Sequence, residues 1–178
     1  MSDPRMKIVL VVPEIPHNTD GIGRTCVALD LELILIKPYR FSIDETAVMR
    51  SGTRYWKHVQ LSQYDSWKSF LSDRRPSRES QYSFEEHGAQ SFYTPSYQQD
   101  AYLVFGGESK GLPITILDDM DNRIFNLSMR SPLVKSLNLA NAATAEVYQA
   151  MRNHMGVWMA LIFPKAQPPT DQLNSYKD

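Results

Sequence analysis

The segment that decides the fold is residues 7–36, KIVLVVPEIPHNTDGIGRTCVALDLELILI. Its two ends, 7–12 and 31–36, are runs of β-branched and leucine side chains, which predict two buried strands. Between them, Asp20 is of a residue type that caps helices, and we expect a short helix from there to about Leu29. Two strands joined by a helix form a βαβ unit, so the segment predicts a parallel sheet.

The same alternation of strands and helices continues along the chain. The predicted elements after residue 36 are helices at 42–49, 67–71, 112–117 and 138–163 and strands at 101–105 and 123–129. We expect residues 1–6 to be flexible and the polar, proline-rich tail 164–178 to fray. The predicted fold class is therefore a single α/β domain over 7–163, a parallel sheet with flanking helices.

Composition limits the possible functions. The 178 residues carry a net charge of −1, so the overall balance does not mark a nucleic-acid binder. No apolar run is long enough to span a membrane, and the first residues lack the apolar stretch of a signal peptide. Cys26 is the only cysteine, and we expect a small buried side chain on a helix. These features predict a cytoplasmic protein with no membrane contact.

Two local clusters could still bind RNA. Residues 50–58, RSGTRYWKH, mix cations with aromatic rings, as phosphate neutralisation and base stacking require. Arg74, Arg75 and Arg78 form a second cluster. The alternative for each cluster is a solvated surface, which such runs more often form.

Familiar catalytic and cofactor motifs are incomplete. Gly21-Ile22-Gly23 suggests a dinucleotide turn, but Cys26 stands where the third glycine belongs and the preceding strand ends too early. Residues 106–111, GGESKG, lack the G-K-[ST] ending of a phosphate loop. The four histidines have no metal-ligand spacing, so we predict no metal site.

Three loops carry more glycine, proline and asparagine than connections need. They are residues 13–26, 105–113 and 135–142. Ligands of open α/β sheets lie beyond the carboxyl ends of the strands, so three such loops predict one shared site. The alternative is three ordinary tight turns.

These loops resemble the motifs of the tRNA wobble-position 2′-O-methyltransferases, a branch of the SPOUT superfamily. The family patterns are P-E-I-P-x-N-T-G-N-I-x-R-x-C, F-G-x-E-x-x-G-L-P and S-x-N-L-S-N-A followed by V-Y-E-A. Here they read PEIPHNTDGIGRTC (13–26), FGGESKGLP (105–113), SLNLANA (136–142) and VYQA (147–150). The resemblance covers residues 7–152, nearly the whole chain.

Several positions depart from the family patterns. Asp20-Gly21 replaces Gly-Asn, Gly107 replaces a proline, and Ala140 replaces a serine. Arg54 stands for a common aspartate, and Glu146 for an aliphatic helix residue. These changes leave the reaction class standing and leave the exact RNA target open.

The resemblance implies a C-terminal trefoil knot, S-adenosylmethionine as the cofactor, a tRNA substrate and a homodimer. The family's cofactor-binding positions correspond to Phe84, Gly106, Leu127 and Ser136 in this sequence. Residues that bind RNA or shape the site are Asn18, Glu108, Asn138 and Asn141. We expect the first motif loop and the last helix to form the dimer interface, since this family builds its RNA site across two chains.

The family's favoured catalytic residue falls on Arg24. A guanidinium stays protonated in proteins, so we expect Arg24 to orient phosphate and stabilise charge on the 2′-oxygen, not to act as a base. Asn138, Asn141, Ala145 and Tyr148 are spaced to share one helix face, with Tyr148 as a catalytic helper. The alternative for Tyr148 is a core aromatic side chain.

Two rival functions remain open at this point. The first is the same methyl transfer to ribosomal RNA or to another tRNA position. Family members that bind larger RNAs often carry an extra N-terminal domain, which this chain lacks, and this favours tRNA. The second is a non-catalytic RNA-binding descendant, against which the presence of Arg24 and both cofactor loops argues.

Overall fold

The computed structural model describes residues 5–39, 41, 55–120, 122–152 and 154. The strands are β1 (Lys7–Val11), β2 (Glu32–Ile36), β3 (Gln60–Tyr64), β4 (Gln81–Phe84), β5 (Gln90–Ser91), β6 (Tyr102–Phe105) and β7 (Ile124–Asn126). The helices are α1 (Pro16–Leu29), α2 (Trp67–Arg74), α3 (Ile114–Met120) and α4 (Leu139–Arg152). Two single-turn 3₁₀ helices cover Trp56–His58 and Arg78–Ser80.

The strands form one seven-stranded sheet in the order β3-β2-β1-β6-β4-β7-β5. Every described strand pairing is parallel, which confirms the predicted fold class. In register, β1 lies between β2 and β6, with Lys7 opposite both Glu32 and Tyr102. Central parallel strands are covered on both faces, which explains why β1 and β2 are continuous apolar runs in the sequence.

Helices cover both faces of the sheet. Alternate side chains of β1 point to opposite faces, so Ile8 packs in a cluster with Ile22 of α1 and Val147 of α4. On the other face, Val9 packs in a cluster with Phe70 of α2 and Ile116 of α3. Cys26 is fully buried in the first cluster, as the sequence predicts.

The start of α1 differs from the prediction. The helix begins at Pro16, four residues before Asp20, so the prediction that Asp20 caps it is wrong. Proline suits the first helical turn because its missing N–H would have no partner there. The strand before it also ends earlier than predicted, at Val11, since Val12 adopts a φ of 54°.

Other boundaries shift, and three strands escape the sequence pattern. The strand predicted over 123–129 is only Ile124–Asn126, and the helices predicted at 67–71 and 112–117 run over Trp67–Arg74 and Ile114–Met120. The unpredicted strands are Gln60–Tyr64, Gln81–Phe84 and Gln90–Ser91. They contain glutamine and serine where β1 and β2 contain leucine and isoleucine, so hydrophobic periodicity does not reveal them.

Some predictions concern residues outside the described part of the chain. These are the helix at 42–49, the first half of the basic and aromatic cluster (50–54), the continuation of the last helix at 155–163 and the tail 164–178. Within the described part, no helix is both long and apolar enough to cross a membrane.

Candidate active site

A cavity of about 470 Å³ lies where three parallel strands end. The strands are β4, β6 and β7, and the three loops singled out in the sequence all contribute to the wall. Its lining includes Asn18, Phe84, Phe105, Gly106, Glu108, Lys110, Leu127, Lys135, Ser136, Asn138, Ala142 and Glu146. Both the volume and the position at the carboxyl edge of the sheet are typical of ligand sites in α/β proteins.

All four predicted cofactor positions line this cavity. Phe84 stacks on Phe105 with ring centroids 5.0 Å apart and planes 16° apart, so the wall contains a parallel aromatic pair. Gly106 follows directly, and a Cβ there would lie 2.0 Å from the Gly111 carbonyl carbon. Only glycine therefore fits where the second loop folds back on itself.

A carboxylate fixes the far side of the second loop. Glu85 accepts a hydrogen bond from the Leu112 N–H, and its carboxylate lies against Gly111, whose φ is +65°. Burial raises the pKa of the Glu85 carboxyl. The loop after β4 and the loop after β6 are thereby held together at the edge of the cavity.

Two glutamates join the first and second motif loops reciprocally. The Glu108 carboxylate accepts the backbone N–H of Glu14 at 2.7 Å and of Ile15 at 3.2 Å. In return the Glu14 carboxylate accepts the N–H of Ser109 at 3.0 Å and its hydroxyl at 2.6 Å. Since α1 has no side-chain cap of its own, Glu108 supplies an acceptor at its N-terminus from another loop.

The asparagines extend this network to the third loop. Asn18 donates to Glu108 at 2.9 Å, and Asn138 donates to the Asn18 side-chain oxygen at 2.8 Å. Asn138 also accepts the Ala140 N–H at 3.0 Å, at the start of α4. One hydrogen-bonded chain thus connects all three loops, whereas Asn141 is exposed and lies outside the cavity lining.

Arg24 lies outside the cavity lining, on the exposed side of α1. Its guanidinium carbon is 4.8 Å from the centroid of the Tyr55 ring. The Tyr55 hydroxyl donates to the buried Asp20 carboxylate, and burial raises the pKa of that hydroxyl. Tyr55 and Asp20 therefore hold Arg24 in place. The sequence places Tyr55 in the basic and aromatic cluster but gives no sign of this contact.

Arg24 and the cavity are separated along α1. Arg24 follows the cavity residue Asn18 by six residues, which corresponds to about 9 Å along a helix axis. Within one chain, the predicted catalytic cation and the predicted cofactor contacts are therefore neighbouring but distinct.

Tyr148 is 55% exposed on α4, so the alternative of a core aromatic side chain is wrong. It lines a second cavity of about 550 Å³ together with Tyr93, Ala145 and Arg152. Leu127 and Leu137 line both cavities, so the second adjoins the first.

Glu146 was not among the predicted site residues. It is only 2% exposed, it lines the first cavity, and its Oε2 has no hydrogen-bond partner among the described residues. Burial raises the pKa of this carboxyl to about 9. The only signal in the sequence is an acidic residue where the resembling family has an aliphatic one.

The glycines of the supposed dinucleotide turn serve helix packing. Gly21-Ile22-Gly23 lies inside α1, where a Cβ at Gly23 would be 2.3 Å from the Trp56 ring. A Cβ at Gly21 would be 3.1 Å from the Ala140 Cβ on α4. The described residues also contain no cluster of three or more potential metal ligands.

Known proteins resemble this chain in both sequence and fold. The profile of the SpoU rRNA Methylase family matches residues 5–148. A tRNA (cytidine(34)-2′-O)-methyltransferase of Burkholderia cenocepacia is 33% identical, over 82% of this chain and 93% of the relative. A solved structure addressing the 2-OH methylation of C/U34 on tRNA is 35% identical with a TM-score of 0.79, covering 88% of this chain and 94% of that chain.

A more distant structure extends the likeness of the fold. The SpoU methyltransferase AviRb of Streptomyces viridochromogenes, solved with AdoMet, has a TM-score of 0.71 at 23% identity, covering 87% of this chain and 60% of that one. SpoU methyltransferases have the knotted α/β fold, so the predicted fold class is confirmed in full. The chain therefore belongs to the SpoU rRNA Methylase family of RNA methyltransferases.

Proposed function

We propose that this protein transfers a methyl group from S-adenosylmethionine to the ribose 2′-hydroxyl of nucleotide 34 in tRNA. The observation that carries the proposal is the single hydrogen-bonded chain Glu108–Asn18–Asn138, which assembles the three motif loops around one cavity. The similarity to tRNA (cytidine(34)-2′-O)-methyltransferases supports the choice of substrate.

The residues of the cavity fit this cofactor. Phe84 and Phe105 offer apolar aromatic surface for a purine, and backbone groups around Gly106 offer hydrogen bonds. Lys110 and Lys135 are exposed at the lining and suit a carboxylate. We assign binding of the cofactor to Phe84, Gly106, Leu127 and Ser136, as the resemblance implies.

When bound, the cofactor supplies an electrophilic methyl group on a sulfonium. The chain itself has to position the ribose and stabilise charge on its oxygen. The positively charged guanidinium of Arg24 binds the target phosphate and stabilises negative charge developing on the 2′-oxygen. Tyr55 fixes the guanidinium through its ring, which limits the entropy lost when RNA binds.

The active unit in this proposal is a homodimer in the cytoplasm. Exposed apolar side chains surround the third loop and α4, namely Leu133, Val134, Leu137 and Tyr148. Such a group suits a protein interface. Because Arg24 lies outside the cavity of its own chain, we propose that a second chain brings its Arg24 to that cavity, with Tyr148 and Asn141 near the junction.

The test is methylation of defined tRNA transcripts by the purified protein, followed by mass spectrometry of nucleosides. We expect one 2′-O-methyl group at nucleotide 34. A transcript with 2′-deoxyribose at that position lacks the nucleophile and serves as the matched control. Methylation of the control, of another tRNA position or of ribosomal RNA alone would contradict the proposed target.

A further inference from the structure

Glu146 is a buried polar residue that the fold does not explain. Its side chain is 2% exposed in the wall of the first cavity, and Oε2 has no partner among the described residues. The nearby Tyr97 hydroxyl donates its proton to the Phe92 carbonyl oxygen at 2.6 Å, so it does not donate to Glu146. Buried polar atoms are nearly always hydrogen-bonded, so this one calls for a partner that the described residues do not supply.

Burial in the wall of the first cavity determines the protonation of Glu146. Ala142 lies one turn earlier on α4, and Leu139 a further turn back, and all three line the cavity. Burial raises the pKa of the Glu146 carboxyl to about 9, so the group is a neutral acid at neutral pH. A neutral carboxyl presents one O–H donor beside one C=O acceptor.

An adenine ring offers the complementary pair on its Watson–Crick edge, where N1 accepts and the N6 amino group donates. The adenine ring also has flat, apolar faces, which suit contact with the Phe84 and Phe105 rings in the same cavity. We propose that Glu146 is a specificity-determining residue that binds the N1/N6 edge of the cofactor's adenine. This inference rests on the proposed function, in that S-adenosylmethionine is the cofactor.

A contact with the positive sulfonium is the competing role for Glu146. That role would require the ionised carboxylate, whereas burial favours the neutral form. The described basic side chains of the cavity lining, His87, Lys110 and Lys135, are exposed, and none forms an ion pair with Glu146. The N1/N6 edge of the adenine is the part of the cofactor that pairs with a donor and an acceptor side by side.

The experiment is calorimetric binding of S-adenosylmethionine, of S-adenosylhomocysteine and of the 1-deaza and 7-deaza analogues of S-adenosylhomocysteine. The proteins are the wild type, Glu146→Gln and Glu146→Val. A glutamine amide also carries a donor beside an acceptor, so we expect Glu146→Gln to bind within about threefold of wild type. Valine leaves the adenine edge unpaired, so we expect Glu146→Val to lose about tenfold.

The analogues identify the atoms involved. Removing N1 in the 1-deaza analogue should weaken binding to wild type and Glu146→Gln by about tenfold. The affinity of Glu146→Val should be the same for the analogue and the parent compound. The 7-deaza analogue is the control for the opposite edge of the adenine. It should bind each of the three proteins with the same affinity as the parent compound.

The unliganded proteins give a second readout. Glu146→Val should melt at a higher temperature than wild type, because it removes an unpaired buried carboxyl, whereas a merely structural glutamate would leave the variant less stable. An equal 1-deaza penalty in all three proteins, or a loss by Glu146→Val confined to S-adenosylmethionine, would overturn the role in adenine binding. Failure of the wild type to bind any of these compounds would instead overturn the proposed function.

Discussion

At the scale of single residues, the site works through side chains that hold other side chains. The Tyr55 ring lies against the guanidinium of Arg24, and the Tyr55 hydroxyl is in turn bonded to Asp20. The resemblance in sequence gives a catalytic role to Arg24 but assigns no role to these two supports. Their contact joins residues 35 positions apart, and no local pattern in the sequence encodes such a contact.

Replacing Arg24 should separate catalysis from cofactor binding. We expect Arg24→Ala to lower the single-turnover rate of methyl transfer by about a hundred- to a thousandfold, as loss of a charge-stabilising group does. Cofactor affinity should stay nearly unchanged because Arg24 is not among the residues assigned to cofactor binding, which are Phe84, Gly106, Leu127 and Ser136. Arg24→Lys should restore little, since a point charge cannot reproduce the planar fork. Lys68→Ala removes another exposed positive charge, from α2, and is the matched control. Retention of more than about a tenth of the rate would move the catalytic role away from Arg24.

Glu146 should make stability depend on pH in a defined direction. Its pKa is about 9 in the folded protein and near 4.5 when unfolded, so the unfolded chain loses this proton first as pH rises. Titration of this group therefore leaves the free energy of unfolding unchanged below about pH 4.5 and lowers it progressively between about pH 4.5 and about pH 9. We expect Glu146→Gln to raise the thermal midpoint at about pH 8 and to change it little at about pH 5. A difference that is the same at both pH values would show that the carboxyl is not buried as a neutral acid.

At the scale of elements, the predictability of each strand follows from its place in the sheet. The central strands β1 and β2 are covered on both faces, so their sequences are apolar throughout and easy to recognise. The edge strand β3 is partly exposed and reads QLSQY, and β4 is buried yet contains Gln81 and Ser83. These strands exist because their neighbours pair with them, which is information that lies elsewhere in the chain.

Gly23 should tolerate no side chain, despite its place inside a helix. Alanine is normally favoured over glycine there by about 1 kcal/mol. Its Cβ would however lie 2.3 Å from the Trp56 ring, and such overpacking typically costs about 1–3 kcal/mol. We therefore expect Gly23→Ala to lower the thermal midpoint, and Trp56→Leu in the same chain to recover part of the loss.

The control for this prediction is Gly21→Ala in the same helix. There the nearest atom, the Ala140 Cβ, would be 3.1 Å away, which a small shift of α4 can relieve. Gly21→Ala should therefore be milder than Gly23→Ala. Equal effects of the two substitutions would mean that Trp56 does not set the requirement for glycine.

At the scale of the whole molecule, the order of strands creates the site. The three motif loops are separated by about ninety and thirty residues in sequence, yet β1, β6, β4 and β7 are adjacent, so their carboxyl ends converge. The glycine-rich motifs predict that a shared site exists, and the resemblance supplies its cofactor positions. The hydrogen bonds among Glu108, Asn18 and Asn138 depend on the folded topology and could not be read from spacing.

The last prediction tests whether one site uses two chains. Arg24→Ala removes the cation, and Ala142→Trp fills the cavity that Ala142 lines, so each variant should be inactive alone. If the Arg24 of one chain serves the cavity of the other, a mixed dimer contains one intact pair of cation and cavity. Random exchange in an equal mixture makes about half of the dimers mixed, each with one working site of two, so about a quarter of wild-type activity should return.

Two measurements complete this test. Light scattering after size exclusion should give twice the 20.4 kDa mass of the chain for wild type and both variants. Each variant incubated alone through the same exchange procedure controls for residual activity. If Arg24 served its own chain's cavity, the mixed dimer would hold no intact pair and the mixture would stay inactive. Recovery of activity therefore requires that the catalytic cation crosses the dimer interface, which would explain why Arg24 and the cavity are distinct within one chain.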